Sequence, residues 1–238
     1  MSQEGYWGEE CTEPLTTLSE AGVEVTVATP GGDPPVIDER SVDPNNVGAE
    51  TAERVVEIHE ADERLRNPVA LADATPEAYD AVVFPGGHGT EWGINQDRHA
   101  RAALRTAVEG EAGTALVVCR AVGILAFTRG SDGDFLVADR SVTGFPNAWE
   151  EGIVDDRSVT GFPNAWEEGI VDERDLMPDG RKLPYWVEDE VRAAGADWDA
   201  ELDADTSVTV DGDLITARGP PSSHEAAVTL RNELGIDS

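Results

Sequence analysis

Cys119 ends the apolar run Thr114–Val118 and is followed at once by a second apolar run with helical spacing, so that residues 114–127 read TALVVCRAVGILAF. A break of this kind between strand and helix can hold a side chain in a strained, exposed turn with the first helical amides behind it. Those amides favour a thiolate, and the chemistry implied is that of a nucleophilic cysteine. The competing reading is a structural thiol, since free cysteines are among the most buried residues. The other cysteine, Cys11, lies far away in sequence and makes no CxxC or metal-ligand spacing with Cys119. Neither a metal site nor a disulfide framework is indicated, and a reducing cytoplasm fits.

The surrounding elements alternate in type. Pro14 is expected to open a helix through Leu15, Leu18 and Ala21, and VEVTVAT (Val23–Thr29) alternates as a strand. A polar helix follows over Ala49–Arg66. AVVFPGGHGT (Ala81–Thr90) is a short buried strand running into a glycine turn, and a helix then covers Gln96–Glu109. The strand Thr114–Val118 and the helix after it extend a β-α series, which implies a mostly parallel sheet with helices on both faces. Ligands of such sheets bind beyond the carboxyl ends of the strands, where both Gly86–Gly87 and Cys119 fall. Later, Ser207–Ala217 reads as a hairpin around Asp211–Gly212, and SSHEAAVTLRNELG as a capped C-terminal helix.

Composition narrows the partners. Asp and Glu number 49 against 17 Lys and Arg, a formal charge of −32, so nucleic acid and anionic membranes are excluded as natural partners. The acids are spread along the chain, as in cytoplasmic proteins of salt-in halophiles. No run is long and apolar enough for a membrane helix, and the first residues have no signal-peptide pattern.

The motifs GYWGEE with Pro14 at 5–14, FPGGHGT at 84–90, VVCRAVG at 117–123, SVTGFPNAWEE at 141–151 and ITARGPPSS at 215–223 resemble, in order, the DJ-1/PfpI superfamily, and within it the Hsp31-like branch. The resemblance implies a single domain with a flavodoxin-like, class I glutamine amidotransferase-like three-layer α/β sandwich, usually a homodimer without cofactor or metal. It also implies either glutathione-independent conversion of small aldehydes such as methylglyoxal to lactate, or binding of unfolded protein and oxidation sensing. By the same resemblance Cys119 is the nucleophile and Glu10 the buried acid beside it, and the turn Gly86–Gly87 with the backbone N–H of Gly87 and Arg120 forms an oxyanion hole. Arg120 stands where Hsp31-like proteins carry a histidine; a guanidinium cannot act as a general base, although it can favour a thiolate or bind a carboxylate. His88 is then either a substitute proton carrier or a structural donor in its turn. Gly93 occupies a position where relatives carry an acid.

Two features depart from the family pattern. Asp139–Asp155 is repeated without change as Asp156–Asp172, so either Glu150 or Glu167 can take the place of the acid that orients the missing histidine. Relatives also carry an apolar strand just before the GYWGEE turn, where here only Met1–Glu4 stand; either a copy of SVTGF or a partner chain fills part of that position, or the start is mis-called and the strand precedes Met1. The charge itself generates a prediction. Self-repulsion is screened as the Debye length falls from about 10 Å at 0.1 M salt to about 3 Å at 1 M, so the melting temperature should rise steadily with KCl over that range; a flat or falling Tm would show that the acids are not tuned to salt.

Overall fold

The computed structural model describes residues 5–110, 113–152, 183–199 and 206–236. At its centre, β3 (Ala81–Phe84), β4 (Thr114–Val118), β8 (Leu214–Ala217) and β7 (Val208–Asp211) form one sheet in the order β3-β4-β8-β7. The first three strands are parallel, and β7 is the antiparallel arm of a hairpin whose Asp211 pairs with Leu214. Two short parallel pairs flank it: β1 (Ala28–Thr29) with β2 (Val69–Ala70), and β5 (Ser141–Val142) with β6 (Asp197–Trp198).

The five residues of β4 are all buried, because both faces of this strand are covered. Ala115 and Val117 join the core that includes Ala100, Leu104 and Ala107 of helix α5 (Arg98–Glu109). Leu116 and Val118 face the opposite way, into the core that includes Ala226 and Leu230 of α9 (Ser223–Glu233) and Leu18 of α1 (Gly8–Glu20). Side chains alternate across a strand, so helices on both sides are the only way to bury such a continuous apolar run. This is the flavodoxin-like, three-layer α/β arrangement expected from the sequence. Among the described residues no helix is long and apolar enough to cross a membrane.

The remaining helices are α2 (Pro44–Val47), α3 (Ala49–Ala61), α4 (Glu63–Arg66), α6 (Ile124–Phe127), α7 (Asn147–Gly152) and α8 (Val187–Ala193). Several boundaries differ from the sequence expectation for identifiable reasons. The polar helix over Ala49–Arg66 breaks at Asp62, whose carboxylate accepts the Arg64 N–H and starts a new turn. Asp97 accepts the N–H groups of His99 and Ala100, so α5 begins at Arg98 and not at Gln96. At the C-terminal helix, the Ser222 hydroxyl accepts from the Ser207 N–H, and the helix start has no serine side-chain cap.

Two differences are larger. Pro14 lies inside α1, which starts at Gly8, because the Trp7 N–H donates to the Gly86 carbonyl and pins the helix entry there. Proline has no N–H to offer the carbonyl four residues back, which here is that of Glu10. The expected strand Val23–Thr29 is strand only at Ala28–Thr29: among the described residues no neighbouring strand pairs with Val23–Val27, and β structure is defined by such pairing. The first SVTGF copy does not lie there, since its Ser141 and Val142 pair with β6; the second copy lies outside the described residues.

Candidate active site

Phe84 is in register with Val117, and Val118 with Ala217, so β3, β4 and β8 end side by side. Each strand therefore delivers the residues that follow it to one place: Gly86–Gly87, Cys119 and Gly219. Cys119 has φ 56°, in the left-handed region that costs a side-chain-bearing residue conformational energy, and its turn continues as the 3-10 segment Cys119–Gly123. The strained elbow is present as expected. It is not exposed: Cys119 is 5% accessible, because it shares an apolar cluster with Phe145, against which Trp149 packs. The free cysteines Cys11 and Cys119 are both buried and form no disulfide.

Glu10 reaches the same point from α1 and is fully buried. A Cβ on Gly86 would fall 2.5 Å from Glu10 Oε2 and 2.8 Å from Cys119 Cβ, so only glycine fits between acid and thiol. Gly87 has φ 105°, and a Cβ there would sit 2.6 Å from the Trp7 nitrogen. The carboxyl faces the Cys119 thiol and the Gly86 N–H, yet neither of its oxygens completes a hydrogen bond of good geometry. Burial pushes the Glu10 carboxyl up to about 8, with the thiol and amide contacts offsetting only part of that rise. Burial, followed by the charge of Glu10, also pushes the Cys119 thiol well above its ordinary value; the Arg120 guanidinium and backbone N–H oppose this without reversing it. At neutral pH the pair rests as a thiol beside a mostly protonated acid.

Arg120 meets a buried carboxylate at the site. Its Nη1 donates to Glu91 Oε1 at 2.6 Å, with side-chain exposures of 2% and 0%, and its guanidinium lies 4.2 Å from the Phe145 ring centroid. Its carbonyl accepts from Asn95 Nδ2 at 2.9 Å, and the same amide nitrogen lies 2.8 Å from the Tyr185 hydroxyl. No linear pattern marks Glu91 or Asn95; the chain after the glycine turn curls into a 3-10 segment, His88–Glu91, and this brings Glu91 to Arg120.

His88 is buried, with Nδ1 2.8 Å from Arg40 Nη2 and 3.2 Å from Asp38 Oδ2. Burial, then the charges of Arg40 and Arg120, lower its pKa to about 3, so the ring is neutral near pH 7. Of the two readings for His88, these contacts match the structural one: it ties the glycine turn to the loop at 38–40. His59 contacts the Tyr6 hydroxyl through Nδ1 at 2.6 Å, whereas His224 is exposed beside Glu13.

The first repeat copy packs at this site. Phe145 lies under Arg120, Trp149 meets Phe145 edge-on at 5.6 Å, and a Cβ on Gly219 would be 3.5 Å from Trp149 and 4.0 Å from Cys119 Sγ. Glu150 belongs to α7, but its side chain lies outside the described residues, as does Glu167 entirely. Among the described residues no group of three His, Cys, Asp or Glu side chains is placed to hold a metal ion.

A parallel α/β sandwich with a left-handed cysteine elbow, a buried acid against the sulfur and a double-glycine turn defines the class of protein. The DJ-1/PfpI family profile matches residues 1–233, and the chain belongs to that family. No curated protein matches it. Among solved structures, glyoxalase III from Candida albicans is 21% identical with a TM-score of 0.75, covering 96% of this chain and 88% of that one. The Rapid Encystment Protein of Francisella tularensis is 22% identical with a TM-score of 0.73, covering 98% and 94%. DJ-1beta of Drosophila melanogaster is 20% identical with a TM-score of 0.58, covering 98% and 87%. At these identities the likeness is one of fold.

The geometry makes two predictions. The Glu10 carboxyl is raised from 4.5 to about 8 on folding, so the native state binds the extra proton between those values. Its contribution to stability is full below the unfolded value and is lost as pH rises through the folded one. Glu10→Gln should therefore match the wild type in Tm at acid pH and become progressively more stable than it towards pH 8; parallel Tm curves would refute the raised carboxyl. Glu91→Gln should cost about 3 kcal/mol in urea denaturation by removing the carboxylate of the buried Glu91–Arg120 pair, and adding Arg120→Met should recover part of that loss.

Proposed function

We propose that this protein is a Cys119-dependent, glutathione-independent glyoxalase that converts methylglyoxal to lactate, with Glu10 performing the proton transfers. The observation that carries this reading is the placement of a carboxyl with a pKa near 8 directly against the sulfur at the strand ends. Proton transfer is most effective from a group whose pKa lies near the operating pH. The Cys119 sulfur adds to the aldehyde carbon while its proton passes through Glu10 to the aldehyde oxygen, giving a hemithioacetal. The N–H groups of Gly87 and Arg120 are assigned to that oxygen as its charge develops. Glu10, as carboxylate, then removes the proton from the former aldehyde carbon while the C–H electron pair moves onto the neighbouring carbonyl to form an enediolate; returning that proton to the neighbouring carbon, with the hydroxyl proton passing to that carbon's oxygen, completes an internal redox step that yields an enzyme-bound lactoyl thioester. Water cleaves the thioester, releasing lactate and restoring the thiol. The printed identity of the Candida albicans fold neighbour accords with this chemistry. A homodimer in a reducing, salt-rich cytoplasm is the proposed setting, supported by the composition and the family.

One observation favours a second reading. Cys119 is nearly enclosed, its thiol is held protonated, and the Arg120 charge is directed to Glu91. A thiol of that kind suits a non-catalytic oxidation sensor or a holdase of the same family.

Lactate formation from methylglyoxal in molar KCl separates the two. The native protein should turn over, Cys119→Ser should be inactive, and Glu10→Gln should lose at least about a hundredfold. The native kcat/KM should rise with pH towards about 8 as Glu10 ionises. Arg120→His, which sets a histidine beside Glu91, should increase the rate. Folded native protein that makes no lactate, while it still suppresses aggregation of a client protein equally well as Cys119→Ser, would establish the second reading.

A further inference from the structure

Close approach demands glycine at Gly86 and Gly87, but nothing of that kind demands it at Gly219. The backbone there is extended, with φ 175°, and lies outside the left-handed region that favours glycine. A Cβ built on Gly219 would lie 3.5 Å from Trp149 Cζ3 and 4.0 Å from Cys119 Sγ, both ordinary contact distances. No other described atom outside the adjoining residues comes within 4 Å of it. Gly219 is itself buried. It thus leaves a space the size of one methyl group between an indole and the nucleophilic sulfur.

The walls of that space are held from several sides. Val118 is in register with Ala217, so Cys119 and Gly219 follow neighbouring strands at one level. Trp149 meets Phe145 edge-on, and the Arg218 guanidinium lies 5.7 Å from the indole centroid. The helix that carries Trp149, α7, is tied to α8 through Asn147, whose N–H donates to Glu188 Oε2 at 2.8 Å and whose side-chain amide donates to Asp189 Oδ1 at 2.6 Å. Trp149 is half-buried where Cys119, Phe145 and Gly219 are buried, so the indole is the outer member of the group. Such a wall cannot widen for a larger group without breaking these contacts, and forcing extra atoms into a filled space costs strain.

We propose that Gly219 and Trp149 restrict the substrate to 2-oxoaldehydes whose group beyond the second carbonyl is no larger than methyl. The inference rests on the glyoxalase reading and adds a size limit to it. In the hemithioacetal the aldehyde carbon is bonded to Sγ, the second carbonyl carbon follows, and the methyl carbon of methylglyoxal is the third atom out, which is the reach at which the space beside Gly219 lies. The hydrogen of glyoxal leaves that space unfilled, and a branched group meets the indole. One methyl group more or less in an apolar pocket changes discrimination about 10-fold to 200-fold.

The test compares the native protein, Gly219→Ala and Trp149→Ala in molar KCl, with kcat/KM for glyoxal, methylglyoxal and tert-butylglyoxal read as formation of the 2-hydroxy acid. Gly219→Ala puts its own methyl in the space and should lower the methylglyoxal-to-glyoxal ratio at least about tenfold. Trp149→Ala removes the outer wall and should raise the tert-butylglyoxal-to-methylglyoxal ratio by about the same factor. A merely structural role would lower all three rates together, and unchanged ratios in variants that turn over would overturn the proposal. A second readout needs no turnover: labelling of Cys119 by S-methyl or S-benzyl methanethiosulfonate, followed by peptide mass spectrometry. The Sγ–S bond forms as the reagent's own S–S bond breaks, and methanesulfinate leaves with the thiol proton passing to solvent. Trp149→Ala should raise the benzyl-to-methyl rate ratio at least about tenfold over the native protein. If it does so while the native protein makes no 2-hydroxy acid, the restriction at the sulfur stands and only the glyoxalase reading falls. An unchanged labelling ratio, or no labelling of Cys119 by either reagent, overturns the restriction even where lactate forms. Should Gly219→Ala fail to fold, the Trp149→Ala ratios decide alone.

Discussion

Three backbones and one carboxyl crowd into the space beside Gly86, and the site depends on that approach. The turn after β3 passes so near both Glu10 and Cys119 that a single methyl group on Gly86 would overlap them. The same turn accepts the Trp7 N–H through the Gly86 carbonyl and thereby sets the start of α1. With α1 set, Glu10 is delivered to the end of β4, where parallel register has already placed Cys119. A glycine with no side chain is thus what lets a helix and two strands present an acid and a thiol to one another.

The site contains two buried acids, and the protein treats them oppositely. Among the described residues no cation lies within hydrogen-bonding distance of Glu10, so burial raises its pKa and keeps the proton near neutrality. Glu91 is equally buried but meets the Arg120 guanidinium at 2.6 Å, where mutual attraction offsets part of the desolvation of two buried charges. The difference assigns them different work. A carboxyl that exchanges its proton near pH 8 can move protons, whereas a carboxylate locked to an arginine can only hold a position. Asn95 extends that holding role by donating to the Arg120 carbonyl, while the Tyr185 hydroxyl accepts from the same amide nitrogen, so the residue after the nucleophile is fixed at both its side chain and its backbone.

The duplicated segment shows how the fold absorbs an unusual stretch of sequence. The first copy supplies β5, Phe145 and Trp149, all packed into the body of the protein, and so it has a structural role at the site. Elsewhere in the sheet, β3 pairs among the described residues with β4 alone, and the cores on both faces of β4 are continuous. Each strand pair is stabilised locally by its own ladder and by the side chains above and below it.

The elements with a strong local signal were legible from the sequence: the continuously apolar β4, the glycine turn, the hairpin before the C-terminal helix, and the cysteine at the junction of strand and helix. Their patterns are set by side-chain period and turn chemistry, which act over a few residues. The family motifs also placed Glu10, Gly86 and Gly87 beside Cys119. What only the tertiary structure decided was everything that depends on neighbours distant in sequence. Val23–Val27 alternates like a strand yet is not one, because a strand exists only against a partner. Pro14 sits inside α1 because a contact with Gly86 starts the helix a turn and a half earlier. His88 is bound to Asp38 and Arg40, Arg120 is bound to Glu91, and Cys119 is enclosed by Phe145, none of which can be read from a linear pattern. Residue type limits what chemistry is available, but burial and the charges brought within a few ångströms determine which protonation state each group takes, and those are set only when the chain is folded.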